Sequence, residues 1–409
     1  MKKIKLLSFF VLSHLLFMKS QTPVNEDKSV AERLRIIQKK MDNFGIFVNF
    51  RTNFYIPIEK NLWKDYYFSV DQLRLEMMGN LNDKVSYRFR QRLNKSADPG
   101  ATSTDKVSRA TDFAFIEYKI NDKVVLTAGK QAMAIGTIES NYNALVVYQY
   151  ADIFQNVDIF YTGVNFTYRP IKKHQFQFQV LNNSIDRLSS MYDKVGDENT
   201  KKQKLEAQGI KEAKTPLGYT FNWSALWEDE KIHARSSYSL FQEAKNKYWK
   251  ILALGAQFNF HPLIVDADYI HGDEDIDREQ YGTVAFRKAL DKNKGLDGNS
   301  DKIATNVLYN SYILKLKYQF SPHWNAFIKG MYETAYSADC LTSNISNKNF
   351  RKSYGYLFGV EYFPFKDINS LRLYLLYRGQ QIKYAEPIKD LNRNINAFSL
   401  GLSYRIKMF

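Results

Sequence analysis

The chain has 409 residues, a formal net charge of +15, and 44% hydrophobic residues with an aromatic share of 15%. Its mean hydropathy is −0.44, and no apolar run after Phe17 is long enough to cross a bilayer as a helix, which excludes a helical membrane protein. The single cysteine, Cys340, excludes an intramolecular disulfide. A secreted β-rich protein, or a β-barrel with an apolar lipid face and a polar lumen face, fits a chain that is both aromatic and polar.

The first 20 residues predict a signal peptide. Residues 1–5 are basic, residues 6–17 are mostly apolar, and the small Ser20 precedes the expected cleavage at Gln21. The apolar stretch is too short to be a membrane-spanning helix. We therefore expect residues 1–20 to be removed on export, which places the mature protein outside the cytoplasm.

Residues 21–43 predict one short amphipathic helix. Ser29 and Glu32 have the spacing of a capping box, and apolar residues recur at helical spacing behind them. We expect this helix to lie in the periplasm and to pack on its own domain. A contact between subunits and a plug are alternatives that one short helix does not separate.

From Phe44 to the C-terminus the apolar period changes from 3.6 to 2, which is typical of strands. About sixteen such segments follow, most of them near the ten residues that a tilted transmembrane strand needs. The connections between them alternate in length. Short ones are residues 79–83, 121–122, 170–173, 228–230, 261–262 and 321–322, and long ones are 94–108, 134–157, 184–216, 272–302 and 337–349.

This alternation is the rule in outer-membrane barrels, which have short periplasmic turns and long extracellular loops. The sequence therefore predicts an all-β protein in which residues 44–409 form a transmembrane antiparallel β-barrel of about sixteen strands. Residues 243–247 are the one outer connection expected to be short. Residues 144–155 could be a seventeenth strand, but we assign them to the third outer loop, which folds into the lumen in many porins.

Aromatic residues support a membrane-facing surface. Tyr354, Tyr356 and Phe358 share one face of a strand, as the girdle of a barrel requires. Further aromatic residues expected near strand ends or on outer faces are Trp249, Trp324, Tyr332 and Tyr377. The final strand ends on Phe409, which resembles the address read by the outer-membrane assembly machinery.

Residues 87–93 read Tyr-Arg-Phe-Arg-Gln-Arg-Leu and form the most informative stretch. In an extended chain Arg88, Arg90 and Arg92 point to one face, about 7 Å apart. Three like charges at that spacing repel each other unless water, counterions or an anionic ligand lies among them. The pattern predicts either a solvated outer face of a sheet or the wall of an anion pathway.

The stretches at 87–93, 126–131 and 161–166 make the sequence similar to the phosphate-selective porin O and P family, over roughly residues 44–409. The resemblance implies a sixteen-stranded, usually trimeric channel of the bacterial outer membrane with a basic lumen. We therefore expect a homo-trimer that passes small anionic solutes, phosphate-like or carboxylate, and contacts outer-membrane lipid and lipopolysaccharide. We expect no cofactor, no metal and no nucleic acid.

The predicted anion pathway consists of basic residues on the polar parity of the strands. Arginine offers a planar fork that matches phosphate or carboxylate oxygens. For each residue the alternative is a solvated charge in a wide pore. The candidates are Arg51, Arg74, Arg88, Arg90, Arg92, Lys130, Arg169, Arg372 and Arg378.

The sequence also bears on two other functions. An enzyme would need a nucleophile beside a base, but Ser237 and Ser239 lie too far along the strand from His233, so we expect no catalysis. The alternative to a channel is a barrel that acts in adhesion or as a secretion scaffold, because the long connections at 184–216 and 272–302 could bind partners.

Overall fold

The computed structural model describes residues 44–59, 62–63, 65–95, 107–155, 158–183, 188–192, 198–294, 301–339, 345–365 and 371–408. The expected signal peptide at 1–20 and the helix within 21–43 lie outside these residues, as do Cys340 and Phe409. Those expectations stay predictions.

In the described part of the chain, sixteen long strands form one closed antiparallel barrel. They are β1 Gly45–Glu59, β2 Tyr67–Asn80, β3 Val85–Arg92, β4 Thr111–Lys119, β5 Val124–Ala132, β6 Phe160–Tyr168, β7 His174–Asn182, β8 Leu217–Trp227, β9 Ile232–Ala244, β10 Lys247–Phe260, β11 Leu263–Ile276, β12 Thr305–Ser321, β13 Trp324–Ser337, β14 Arg351–Tyr362, β15 Leu371–Tyr384 and β16 Arg393–Lys407. A two-residue strand, Leu62–Trp63, extends only the end of β1.

The barrel closes because β16 pairs with β1 along most of their length, with Arg51 opposite Ser403. Closure satisfies every strand edge, which is a condition for crossing a bilayer with strands. The predicted fold and strand number are confirmed.

The side-chain alternation on β6 illustrates how the sequence builds the wall. Val164 and Phe166 are exposed on the outside, whereas Asn165 and Thr167 are buried on the inside. Because successive side chains on a strand point to opposite faces, this pattern gives an apolar outer surface for lipid and a polar inner surface.

Connections alternate between short turns at one end of the barrel and long loops at the other, as predicted. The exception at the long-loop end is also confirmed, because β9 and β10 are joined by residues 245–246 alone. In their described residues, the long loops carry the α-helices α1 Leu188–Tyr192, α2 Glu198–Glu206 and α3 Tyr281–Lys294. No helix in the described part of the chain has the length and apolar character to cross a membrane.

An aromatic row encircles part of the outer surface. Tyr269, Tyr312, Tyr332 and Tyr354 lie opposite one another on β11 to β14, with ring centroids 5.0, 6.1 and 5.2 Å apart. This is the geometry of an interfacial girdle. The expectation for Trp249 was wrong, because this residue is fully buried on the inner parity of β10.

The main apolar core lies inside the barrel toward the long-loop end. It combines side chains of the third outer loop, between β5 and β6, with inner-face residues of β9 to β13 and with α3. Trp249 belongs to this core and lies 4.8 Å from the guanidinium carbon of Arg278. The barrel is therefore filled at this end by its own loops.

Candidate functional site

The arginines of β3 face the lumen beside charged residues of β2. Arg92 lies opposite Arg74 and Arg90 lies opposite Glu76 in the antiparallel ladder. Tyr87 and Phe89 take the opposite parity. The two strands thus bring Arg74, Arg88, Arg90 and Arg92 together on one inner face, as the sequence predicted.

Glu76 is the first carboxylate among these cations. Its Oε1 is 2.6 Å from Nη2 of Arg88, and its Oε2 is 3.4 Å from Nη2 of Arg405 on β16. Asn49 donates a further hydrogen bond of 3.2 Å to Oε2. Glu76 is almost completely buried, so it holds both guanidiniums from below the lumen surface.

Asp112 is the second carboxylate, and sequence reasoning missed it. Its oxygens lie 3.0 Å from Nε of Arg90, 2.8 Å from Nε of Arg92 and 3.3 Å from Nη1 of Arg74. A register shift in the β3–β4 ladder leaves Asp112 as an extra residue in β4. Strict alternation would place it on the outer parity with Ala114, so only the bulge makes an inward carboxylate possible.

Five guanidiniums therefore share two carboxylates. We call this group the arginine wall: Arg74, Arg88, Arg90, Arg92 and Arg405 with Glu76 and Asp112. The expected repulsion along the ladder is reduced by the chain's own acids and not by solvent alone, but three positive charges remain in excess. Such an excess raises the local concentration of anions.

Each guanidinium of Arg90 and Arg92 is bound at its Nε edge by a carboxylate and contacts an aromatic ring. Each donates through Nε to Asp112, and neither uses a terminal Nη group in a hydrogen bond with any described residue. Arg90 lies 4.1 Å from the centre of the Phe113 ring, and Arg92 lies 5.6 Å from that of Phe160. The wall thus presents oriented Nη donors that an oxyanion can accept.

The third outer loop, described over residues 133–155, enters the barrel. Its first part is bound by β9 and β11: Gly136 donates its backbone N–H to Ser237, and Ile138 and Glu139 donate theirs to the carboxylate of Asp268. These bonds measure 2.8, 2.6 and 3.0 Å. A carboxylate that accepts two backbone N–H groups fixes the direction of the loop.

The middle of this loop is bound by β13, β14 and β15. Asp152 forms an ion pair with Arg351 and accepts a hydrogen bond of 2.8 Å from Gln380. Its backbone N–H donates to Glu333. Lys329 forms an ion pair with Glu139 of the same loop. Charged side chains of the inner wall are therefore used here to hold the loop.

The loop also reaches β1, β2 and the end of β14. Arg51 donates to the carbonyl oxygens of Ala144 and Val147, at 3.3 and 3.0 Å. Tyr148 donates to Glu361 at 2.7 Å. Burial, followed by the nearby Glu361 carboxylate, raises the pKa of Tyr148, so this hydroxyl remains a donor at neutral pH.

The prediction for residues 144–155 is confirmed. They form 3-10 turns at Ala144–Val146 and Asp152–Phe154 and no strand. Among the described residues, the inner faces of β3 and β4 make no hydrogen bond or ion pair with the loop. The anchors of the loop thus extend from β7 and β8 around the barrel to β1 and β2, beside the arginine wall.

Two other candidate cations have structural partners. Arg51 holds the loop, as described above, and Arg372 pairs with Glu361 at 3.1 Å. Arg169 lies exposed at the short-turn end, where its Nε donates to Gln175 at 2.8 Å. These positions are on the inner parity, on or just after strands other than β3.

Lys130 and Arg378 differ from the rest. Lys130 has the parity of the outward-facing Leu126 and donates to the carbonyl oxygen of Ser108 at 3.4 Å, so the structure does not bring it to the lumen with the arginines. Arg378 faces inward, 4.6 Å from the ring centre of Tyr55. Its residue type and parity agree with the prediction.

His233 does not pair with the serines considered for catalysis. Its Nε2 lies 2.9 Å from Oγ of Ser224, whereas Ser237 bonds the loop and Ser239 bonds Thr220. The described residues hold no His, Cys, Asp and Glu group with the arrangement of a metal site.

Three solved structures share the fold. The outer-membrane channel DcaP of Acinetobacter baumannii has 13% identity and a TM-score of 0.55, with 89% of this chain and 96% of that chain covered. The anion-selective porin of Comamonas acidovorans has 10% identity and a TM-score of 0.55, with 89% and 99% covered. The trimer form of OmpT of Vibrio cholerae has 11% identity and a TM-score of 0.51, with 89% and 99% covered.

A search of curated proteins gives no significant match. The profile of the family "Phosphate-selective porin O and P" matches residues 47–406, nearly the whole chain. This match covers every strand of the barrel and the loop inside it. The chain therefore belongs to the phosphate-selective porin O and P family, and it is a porin channel of the bacterial outer membrane.

Proposed function

We propose that this porin is a passive channel selective for anions and that its preferred solutes carry phosphate or carboxylate groups. The solute passes between the inward loop and the arginine wall. The observation that carries the proposal is the excess of charge in that wall, where five guanidiniums share the carboxylates of Glu76 and Asp112.

The chemistry of the wall supports oxyanions as solutes. An Nη donor pair fits two oxygens of a phosphate or a carboxylate, and a row of such donors lets an anion move from one to the next. The Comamonas structure that shares the fold is named as an anion-selective porin. We also propose a homo-trimer, the form named for the OmpT structure.

The test is a planar bilayer with a salt gradient, because the sign of the reversal potential reports the charge that the channel prefers. The variant Arg88→Gln/Arg92→Gln removes the two more exposed charges of β3 and leaves Arg74 and Arg90 with Asp112. Lys352→Gln/Lys383→Gln is the matched control, because it removes the same charge from the outer surface.

We expect the wild type and the control to prefer anions, and the Arg88→Gln/Arg92→Gln variant to prefer them less. The wild-type preference should also fall between about 0.1 M and 1 M salt, since the screening length falls from about 10 Å to about 3 Å. Added phosphate or a small carboxylate should reduce the chloride current. A wild-type channel with no anion preference would overturn the proposal in favour of a general pore or a barrel that serves a partner.

A further inference from the structure

A polar row lies on the outer surface one step beyond the tyrosine row, toward the long-loop end. It continues in register across five strands. Its members are His271, Asn310, Thr334, Lys352 and Lys383. Because the tyrosine row has the geometry of a membrane-interface girdle, the polar row lies at the level of the lipid headgroups.

Lys352 and Lys383 stand directly opposite each other in the β14–β15 ladder, and both are exposed. Like charges opposite each other on one face of an antiparallel pair destabilise it. Neither lysine forms an ion pair with any described residue, and residues 340–344 of the adjacent loop contain no Asp or Glu. Within the described residues, the charge of this pair is therefore not balanced.

Another lysine of the outer surface, four strands away, is paired within the protein. Lys250 on β10 lies 2.9 Å from Asp273 and 3.4 Å from Asp275 of β11. That site is neutralised within the protein. The contrast shows that outward lysines at this end of the barrel are not uniformly left unpaired, and it sets Lys352 and Lys383 apart.

The surroundings of the pair offer further contacts to one ligand. The Lys383 ammonium lies 5.8 Å from the ring centre of Tyr354, whose ring borders the pair on the membrane side. Thr334 lies opposite Lys352, and Gln381 lies opposite Tyr354. Two ammonium groups, a hydroxyl and an amide thus belong to neighbouring residues of the outer surface. An apolar surface for acyl chains adjoins them.

We propose that Lys352 and Lys383 bind a phosphate group of the phosphorylated glycolipid in the outer leaflet. A phosphomonoester is a compact anion with several acceptor oxygens, so two ammonium groups can bind it together. Its negative charge offsets the repulsion between them. Its acyl chains lie along Phe358 and Val360 on the same outer face of β14. This lipid site is independent of the anion pathway in the lumen.

The test measures binding of diphosphorylated lipid A to the purified barrel in detergent by native mass spectrometry. Lipid A of the same acylation without phosphates serves as the second probe. The variant is Lys352→Gln/Lys383→Gln, and Arg88→Gln/Arg92→Gln is the control with the same loss of charge inside the lumen. A heated and an unheated gel sample of each variant verifies the closed barrel.

We expect the diphosphorylated lipid to bind the lysine variant about tenfold or more weakly, since each lysine near an anionic lipid surface contributes about a factor of five. The lumen variant should bind it like the wild type, and Lys352→Arg/Lys383→Arg should restore binding. Equal binding of both lipids by the wild type, or an equal loss in the lumen variant, would refute a phosphate site at this pair.

Discussion

The arginine wall and the opposite inner wall use the same residue types for different purposes. On β11, β13 and β14, the charged side chains Asp268, Lys329, Glu333 and Arg351 are all engaged by the inward loop. On β2 and β3, the arginines form their ion pairs with Glu76 and Asp112, and the Nη groups of Arg90 and Arg92 form no hydrogen bond with a described residue.

The difference shows that a charge on the lumen parity is not by itself a part of the solute pathway. Whether it contacts solute depends on what the loop covers. Where the loop is anchored, Lys329 and Arg351 form buried ion pairs with its carboxylates, and other acids of the wall accept its backbone N–H groups, which favours a fixed loop. In the arginine wall, cations exceed carboxylates, and the side chains of Arg88 and Arg92 keep 33% and 29% of their surface exposed, which favours a mobile anion.

Breaking the loop anchor should have the largest effect. Asp152→Ala leaves Arg351 buried without its carboxylate, and the loss of one partner of a buried pair costs about 3–5 kcal/mol. We expect the loop to leave the lumen and single-channel conductance to rise. Asp122→Ala, which removes an exposed pair with Lys119 at a short turn, is the control and should conduct like the wild type. Unchanged conductance of Asp152→Ala would mean that this anchor does not hold the loop.

Removing the acid of the arginine wall should have an intermediate effect. Asp112→Asn raises the excess from three to four positive charges and loosens three guanidiniums. We expect the anion-to-cation permeability ratio to rise about two- to fivefold, because a unit charge about 4 Å from an ion is worth about 1 kcal/mol in water.

The control for this prediction is Glu117→Gln. Glu117 faces the lumen on the same strand, and its carboxylate accepts from Ser86 and not from an arginine. Its replacement changes the net charge equally. Reversal potentials that shift by the same amount in both variants would show that only net charge matters and that the shared contact of Asp112 does not.

The smallest effect concerns the loops outside the barrel. Lys292 of α3 donates to Asp390 at 2.6 Å, and this bond lowers the pKa of Asp390. The folded pKa is therefore below the unfolded value, so the pair stabilises the loop above the unfolded pKa and loses that effect as the pH falls through the folded one. Being exposed, it contributes less than about 1 kcal/mol.

Amide hydrogen exchange measures this tether. We expect residues 385–392 to exchange slightly faster in Lys292→Met than in the wild type at neutral pH, and the difference to vanish in acid. Lys389→Met, which removes the exposed pair with Glu386 in the same loop, is the comparison. A difference that persists in acid would assign the effect to the aliphatic stem of Lys292 and not to its charge.

Much of the barrel could be predicted because successive side chains on a strand point to opposite faces, so that apolar and polar residues alternate in the sequence. Alternation around Arg88, Arg90 and Arg92, and the alternation of connection lengths, lead to the lumen face and to the number of strands without any tertiary information. The inward loop was predictable as a loop, because counting residues 144–155 as a strand would give seventeen strands, and bacterial outer-membrane barrels have an even number.

The pairing of charges could not be predicted in the same way. Asp112 reaches the arginines only because a bulge adds a residue to β4, and nothing in the local sequence marks that bulge. Trp249 is an aromatic residue of the type found in girdles, but it lies on the inner parity of β10, where a loop covers it. Lys130 follows a glycine with φ of 124°, and its placement depends on contact with Ser108.

The sequence by itself thus determined a closed sheet with an apolar outer face and a cationic inner face, because these follow from the local geometry of extended strands. The tertiary structure decided which cations the loop uses and which remain partly exposed. Arg51 and Arg92 have the same residue type and the same parity, but Arg51 is buried against loop carbonyls some ninety residues away, whereas Arg92 pairs with Asp112 and keeps part of its surface exposed. Contacts over that separation depend on the closed barrel bringing distant strands around one lumen, which no local pattern encodes.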